Sequence, residues 1–189
     1  QAPALALLDL KIAALDKVDS LSLNDVSRHR IKRIQENIQR TGISPSAILQ
    51  SDGTKLPFDK HHFDTVLIDA PCSSTGTIQK NPDIKWTASE ETLLKPLELQ
   101  RQLLDEGARI LKPGGTLIYS TCSLEEEENQ NQVESFLARH TGFFMKKRPS
   151  DSAFFELDDW TDKDHSFFQI LTCPKWGGFF GVAISCDHA

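Results

Sequence analysis

Short apolar runs alternate with helical segments along this chain, and the alternation limits the folds that it can adopt. The runs predict strands over 18–25, 46–52, 63–69 and 116–121. Helices or long connections separate consecutive strands, which is the arrangement of βαβ units. The pattern therefore predicts an α/β fold with an open, mostly parallel sheet that is covered on both faces.

Local signals mark the ends of the predicted helices. Ser27 stands at the N-cap of a helix that carries Ile31, Ile34 and Ile38 on one face and ends at Gly42. The acidic run 125–128 is interpreted as the solvated first turn of another helix, where the helix dipole favours negative charge. The other helices are predicted over 4–15, 89–111 and 125–140.

The C-terminal part of the chain breaks the alternation. Strand-like pieces over 167–172 and 178–184 have no helix between them. We expect them to pair as an antiparallel hairpin, because a short connection cannot return a strand in parallel. The segment 112–115, KPGG, is predicted to be a tight turn ahead of strand 116–121.

The composition is that of an ordinary globular protein. The chain has 189 residues, of which 39% are hydrophobic and 25% charged, so we expect one domain over 1–189. The apolar runs are far shorter than the ~20 residues of a membrane span, and no signal-peptide pattern is present. We therefore expect a cytoplasmic protein without a membrane partner, in a compartment that keeps cysteines reduced. The net charge of −6 argues against a general nucleic-acid coat.

Acidic residues and cysteines follow the predicted strands. Asp25, Asp52 and Asp69 end three of them, and Cys72 and Cys122 come just after two. Ligands of open α/β sheets bind outside the carboxyl ends of the strands. Asp25 could hold a ribose hydroxyl pair or only cap the next helix. Asp52 could face an adenine edge or only shape the Asp-Gly turn.

The two strand-end cysteines lie in small polar sequence, PCSS and TCS. If strands 63–69 and 116–121 are neighbours at ~4.8 Å, the sulfurs of Cys72 and Cys122 flank one small site. Such a pair could form a redox disulfide, bind a metal with outside help or act in covalent catalysis. No C-x-x-C pair is present, so no metal centre is predicted, and no histidine is tied to either motif, which argues against a cysteine protease.

Four segments also carry a resemblance to a known family. DAPCSSTGT, NPDIKW, LKPGGTLIYSTCS and the following EEEEN resemble motifs of the RsmB/Sun RNA (cytosine-5) methyltransferases, above all the bacterial 16S ribosomal RNA branch. The resemblance extends over residues 18–184. It implies a Rossmann-like class I methyltransferase sheet that uses S-adenosylmethionine and acts on ribosomal RNA.

The resemblance implies a role for each matched residue. Cys122 would attack the target cytosine, Cys72 would assist release of the product, and Asp69 would contact the base. The other implied contacts are with the cofactor, by Asp25, Asp52, Asp69 and Pro71, and with the RNA, by Ser73 and Lys85.

The chemistry of cytosine explains why a thiol is required. Carbon 5 is too weakly nucleophilic to accept a methyl group directly, whereas addition of a thiolate to carbon 6 makes it enamine-like. A base must then remove the carbon 5 proton so that the thiolate can leave. Cys122 therefore needs surroundings that favour ionisation, and the cytosine has to be unpaired or flipped.

The chain departs from the family pattern at its N-terminal end. The family has a strand and a Cys-Ala-Ala-Pro-Gly-Gly-Lys loop there, whereas this chain opens with QAPALALLDL. The sequence thus predicts a domain that lacks its first, central strand and the loop around the methionine part of the cofactor. Gln79, Lys80 and Asn81 also stand where the family tends to have two arginines, which weakens the case for RNA contacts there. The alternative interpretation is an inactive RNA-binding or scaffold remnant.

Overall fold

The computed structural model describes residues 19–87, 89–147, 167–170 and 177–187. The chain divides into two compact units between Pro57 and Phe58. The helix predicted over 4–15 lies outside the described residues. No helix in the described parts of the chain is both long enough and apolar enough to cross a membrane.

The first unit has two parallel strands joined by a helix. Strands β1 (Ser22–Asp25) and β2 (Ala47–Gln50) pair in parallel, and helix α1 (Arg28–Thr41) connects them. The side chain of Ser27 accepts a hydrogen bond from the first turn of α1, and Gly42 ends the helix in the left-handed conformation at φ 72°. The predicted βαβ unit and both ends of its helix are confirmed.

The second unit contains a five-stranded mixed sheet. Strand β3 pairs in parallel with β4, and β7 pairs antiparallel with β4, β5 and β6. The strands are β3 (Phe63–Asp69), β4 (Leu111–Thr121), β5 (Phe143–Met145), β6 (Phe167–Ile170) and β7 (Phe179–Cys186).

Two predictions about this sheet are confirmed and one is wrong. The strands predicted over 63–69 and 116–121 are neighbours, and the two C-terminal strands pair antiparallel. The sheet is mixed rather than mostly parallel, however. The reason is that β7 lies between β4 and β5 and runs against each strand that it pairs with.

The helices of the second unit are α2 (Ile84–Thr87), α3 (Glu90–Ile110) and α4 (Gln130–Arg139). Ser89 caps α3 through a capping box with Thr92, which explains why the predicted start is correct to within a residue. The helix predicted over 125–140 is divided. Its first part is a 3₁₀ turn, Glu126–Glu128, and α4 begins only after Asn129.

The segment 112–115 is part of β4 and is not a separate turn as predicted. Phe63 pairs with Leu111 and Thr65 pairs with Thr116, so the residues between those two pairs bulge out of the ladder. Gly114 has φ 75° within this bulge, a conformation that a residue with a Cβ rarely adopts. The glycines therefore bend the strand without interrupting it.

The core of the second unit lies where α3 and α4 pack against the sheet. Among the large apolar side chains that are at most 1% exposed are Leu104, Leu117, Tyr119, Phe136 and Phe180. They form one cluster with the inward-facing residues of β7. This core supports β3 and β4 from one side and so holds the carboxyl ends of both strands in place.

Replacing Leu104 with alanine tests the position of this core. Leu104 is fully buried, so Leu104→Ala should lower the free energy of unfolding by about 2–5 kcal/mol through lost burial and a residual cavity. Leu94→Ala on the same helix is the matched control. Leu94 is 50% exposed, so this substitution should lower the free energy of unfolding by much less. Urea unfolding of both variants measures the difference, and equal losses would contradict the assigned core.

Candidate active site

The two strand-end cysteines lie side by side. The Sγ atoms of Cys72 and Cys122 are 3.3 Å apart, and both residues are half-buried. Cys122 directly follows β4, and Cys72 follows β3 by three residues. The parallel register, with Asp69 opposite Ser120, brings the ends of the two strands to the same edge of the sheet. The predicted proximity of the two sulfurs is confirmed.

Backbone hydrogen bonds hold the two cysteine loops together. The amide of Ala70 donates to the carbonyl of Ser120 at 2.8 Å, and the amide of Gly76 donates to the carbonyl of Cys122 at 3.0 Å. The amide of Gly178 in turn donates to the carbonyl of Gly76 at 2.6 Å. A Cβ on Gly76 would lie 2.7 Å from the carbonyl oxygens of Cys122 and Gly178. Only glycine therefore permits this approach of three backbone segments.

A buried carboxylate anchors the loop that carries Cys72. Glu128 is fully buried and accepts hydrogen bonds from the amide of Ser73 at 2.8 Å and from its hydroxyl at 2.5 Å. The side-chain amide of Gln100, also fully buried, donates to Glu128 at 3.2 Å and to the carbonyl of Pro71 at 2.9 Å. These contacts fix the residues on both sides of Cys72.

The prediction that the acidic run is solvated is wrong for its last residue. Glu126 and Glu127 are exposed, whereas Glu128 is buried, because the 3₁₀ turn directs it towards the cysteine loops. The hydroxyl of Tyr119, which lies in the core, donates to the backbone carbonyl of Glu128 at 2.7 Å. Four consecutive glutamates carry no periodic signal, so neither Glu128 nor its partner Gln100 could be singled out from the sequence.

The contact between the sulfurs makes the two thiols different. The hydrogen bond from Cys72 stabilises the thiolate of Cys122 and lowers the pKa of Cys122 to about 7, against the opposing effect of burial. Ser74, whose Oγ lies 3.3 Å from the Cys122 sulfur, acts in the same direction. The same contact, together with burial, raises the pKa of Cys72 far above that of an ordinary thiol. Both directions favour ionisation of Cys122 over that of Cys72.

The third residue with an implied catalytic role lies at the same edge. Asp69 ends β3 and is exposed, and its Oδ1 accepts a hydrogen bond from Ser120 at 3.4 Å. It is close enough to Cys122 that its charge raises the pKa of that thiol and partly offsets the effect of Cys72. The structure thus brings Asp69, Cys72 and Cys122 together at the carboxyl ends of two adjacent strands.

Two of the three predicted cofactor carboxylates, Asp25 and Asp52, lie in the first unit. Asp25 accepts from the amide of Ser27 at 2.7 Å and pairs with Arg30 at 3.2 Å, the contacts of a helix cap. Asp52 accepts from the amide and hydroxyl of Thr54 at 2.9 and 2.8 Å, and these bonds lower the pKa of Asp52. A carboxylate has about four acceptor sites. Each of these groups has acceptor sites left over, and their contacts with a cofactor ribose and adenine stay a prediction.

The predicted substrate residues have different surroundings. Ser73 is engaged by Glu128 and lies next to Cys72, whereas Lys85 is exposed on α2. Trp86, which follows Lys85, is 86% exposed. A tryptophan with so little burial contributes little to packing and is available to a partner.

Two solved structures are similar to this chain. The crystal structure of PH0851 superposes with a TM-score of 0.76 at 33% identity, covering 87% of this chain and 36% of that one. The structure of NSun6 from Pyrococcus horikoshii with SFG gives a TM-score of 0.77, covering 96% and 45%. Its identity of 22% shows similarity of fold alone. Together they confirm an α/β methyltransferase fold.

The chain is also similar to ribosomal RNA small subunit methyltransferase B from several bacteria. The protein from Shewanella oneidensis is 41% identical over 117 residues, which are 61% of this chain and 27% of that protein. The protein from Sodalis glossinidius is 44% identical over 124 residues, which are 65% of this chain and 29% of that protein. The chain thus spans less than a third of the length of these relatives.

The family described as 16S rRNA methyltransferase RsmB/F matches residues 10–163, which include both cysteine motifs, the short helix α2 and the buried glutamate. The match covers most of the chain, and it agrees with the fold and with the motifs at the ends of β3 and β4. The chain belongs to the RsmB/F family of 16S rRNA methyltransferases.

Proposed function

We propose that this chain is part of an RNA (cytosine-5) methyltransferase in which Cys122 forms a covalent bond with a cytosine of 16S ribosomal RNA. The observation that carries the proposal is the 3.3 Å contact between Cys72 and Cys122. In support of it, a thiol whose pKa is lowered lies next to a thiol whose pKa is raised, at the edge of the sheet where ligands of α/β proteins bind.

Cys122 begins the reaction. Its thiolate adds to carbon 6 of the cytosine, and the electrons of the carbon 5–carbon 6 double bond move into the ring towards N3. Asp69, exposed at the end of β3, would hydrogen-bond the cytosine edge and, with a proton on its carboxyl group, would donate that proton to N3 and so stabilise the negative charge that builds there. S-adenosylmethionine, when bound, supplies the methyl group that carbon 5 accepts.

Cys72 completes the reaction. Its pKa is raised chiefly by the hydrogen bond to Cys122, and the negative charge of that sulfur contributes as well. Once the sulfur of Cys122 is bound to carbon, the charge is gone, and Cys72 ionises more easily. The Cys72 thiolate then removes the carbon 5 proton, the double bond re-forms, and Cys122 leaves as a thiolate.

The resemblance implies further contacts within each unit. In the first unit, Asp25 would bind the ribose of S-adenosylmethionine and Asp52 its adenine; in the second unit, Asp69 and Pro71 would contact the cofactor. Lys85 would contact the RNA backbone from α2, beside Trp86, whose exposed ring can stack on an unpaired base.

The same sulfur contact favours a second candidate function, a thiol–disulfide protein. Two thiols at 3.3 Å need only a small movement to reach the ~2.05 Å of a disulfide. A redox protein would react with thiol oxidants but would form no adduct with RNA. The experiments below separate the two candidates.

The lowered pKa of Cys122 predicts a specific pH dependence. Alkylation of Cys122 by iodoacetamide should rise through pH 7 and level off above it, because the thiolate is the reactive form. Cys72→Ala removes the donor and should move the midpoint up towards that of an ordinary thiol, about 8.5. Cys72→Ser is the matched control, because its hydroxyl still donates. Mass spectrometry of the Cys122 peptide measures the rates, and a midpoint unchanged in Cys72→Ala would contradict the assignment.

Substitution of the two cysteines should have different effects on the reaction. The test uses a longer protein that carries the family's N-terminal strand and Cys-Ala-Ala-Pro-Gly-Gly-Lys loop, here called the glycine loop, ahead of this sequence. Cys122→Ala removes the nucleophile, so methylation and adduct should both vanish. Cys72→Ala permits attack and methyl transfer but impairs release, so a protein–RNA adduct should accumulate on a denaturing gel. The double variant should form no adduct. Trapping by Cys122→Ala but not by Cys72→Ala would invert the two roles.

Cofactor binding tests the importance of the glycine loop. A protein of these 189 residues alone should bind S-adenosylmethionine weakly or not at all, because the loop that wraps the methionine part is not among them. Addition of the family's strand and loop ahead of the chain should restore binding. Calorimetric titration measures both proteins, and micromolar binding by the 189 residues alone would show that the loop is dispensable.

A further inference from the structure

Glu128 is a buried ionisable group that the proposed reaction does not use. Its side chain is fully buried, and a buried carboxylate is costly unless several donors compensate it. Three donors do so here, namely the amide and hydroxyl of Ser73 and the side-chain amide of Gln100. Two of the three donors belong to the residue that follows Cys72.

The contacts of Glu128 continue into the loop that carries Cys122. The hydroxyl of Ser73 also lies 3.2 Å from that of Ser123, and the hydroxyl of Thr75 lies at the same distance from Ser123. The amide of Leu124 donates to the Thr75 hydroxyl at 3.0 Å. Glu128 therefore lies at one end of a polar network that joins the loop of Cys72 to the residues just after Cys122.

We propose that Glu128 is a positioning residue that holds Cys72 where its thiol can donate to the sulfur of Cys122. The inference rests on the proposed function in treating this cysteine pair as the reactive site. Glu128 itself contacts no reacting atom. It acts through Ser73, which it engages with both carboxylate oxygens and so fixes in position and rotation.

Glu128 could affect Cys122 as a nearby negative charge or as the anchor of the Cys72 loop. The two roles predict opposite shifts in the pKa of Cys122 when Glu128 is replaced. Removal of a nearby negative charge would by itself make a thiolate easier to form and would lower the pKa of Cys122. Loss of the anchor releases the loop of Cys72, weakens the hydrogen bond that favours the thiolate, and raises that pKa. The direction of the shift therefore distinguishes a positioning residue from a mere neighbouring charge.

The experiment compares Glu128→Gln with Glu126→Gln in the 189-residue chain. Glutamine keeps the size of the side chain but presents an amide where the hydroxyl of Ser73 needs an acceptor. Glu126 lies in the same 3₁₀ turn and is exposed, so it is the matched control for charge. We expect Glu128→Gln to move the pH midpoint of Cys122 alkylation upward by about one unit. Glu126→Gln should leave it unchanged.

Ser73→Ala provides a second variant that does not depend on the folding of Glu128→Gln. It removes the hydroxyl donor and leaves the amide donor in place, so we expect a smaller upward shift of the same midpoint. A downward or absent shift in Ser73→Ala, or in folded Glu128→Gln, overturns the proposal. If the shifts are upward while the longer protein forms no RNA adduct, the positioning role stands and the proposed methyltransferase function fails.

Discussion

The parallel register between β3 and β4 is the constraint on which the rest of the candidate site depends. Parallel strands end at the same edge of a sheet, and each of these two carries a cysteine within a few residues of its end. The pairing continues one residue past the end of β3, because the amide of Ala70 donates to the carbonyl of Ser120. A slip of one residue would turn the side chains of one strand to the other face and separate the sulfurs.

Polar contacts, not apolar packing, set the conformation of the loops above this edge. Thr121 donates to Asn129 at 2.6 Å, and the side-chain amide of Asn129 donates to the carbonyl of Ser123 at 3.0 Å. All three residues are fully buried. Buried polar groups that have partners specify one geometry, since each alternative leaves a group unpaired in a medium of low dielectric. The apolar core holds β3 and β4 in place, and this polar network positions the two cysteine loops at their ends.

The environment shifts the pKa values of two chemically identical side chains in opposite directions. Cys72 and Cys122 share one hydrogen bond, and the partner that donates becomes harder to ionise as the partner that accepts becomes easier. Ser74 stabilises the Cys122 thiolate and so reinforces the difference. Divergent pKa values in a pair of neighbouring groups are characteristic of sites that move protons. The difference depends on the charge of the Cys122 sulfur, so a covalent bond to that sulfur would reduce it.

Much of the fold and part of the site could be predicted from residues close together in the chain. The apolar run over 63–69 marks β3 at its observed bounds, and Ser27 and Gly42 mark both ends of α1. Helical and strand periodicity are local properties, and so are caps and turns. The order of the strands is not local, so the position of β7 between β4 and β5 and the mixed character of the sheet were missed.

The sequence by itself determined the alternation of strands and helices, the placement of Asp69, Cys72 and Cys122 at strand ends, and the family to which the motifs belong. Only the tertiary structure decided that the two sulfurs are in contact, which favours ionisation of one thiol over the other, and which glutamate of the acidic run is buried. Both depend on partners about fifty residues away in the chain, Cys72 for Cys122 and Ser73 for Glu128. Burial and hydrogen bonding between such distant residues arise only when the strands pair, and they leave no periodic signal in the chain.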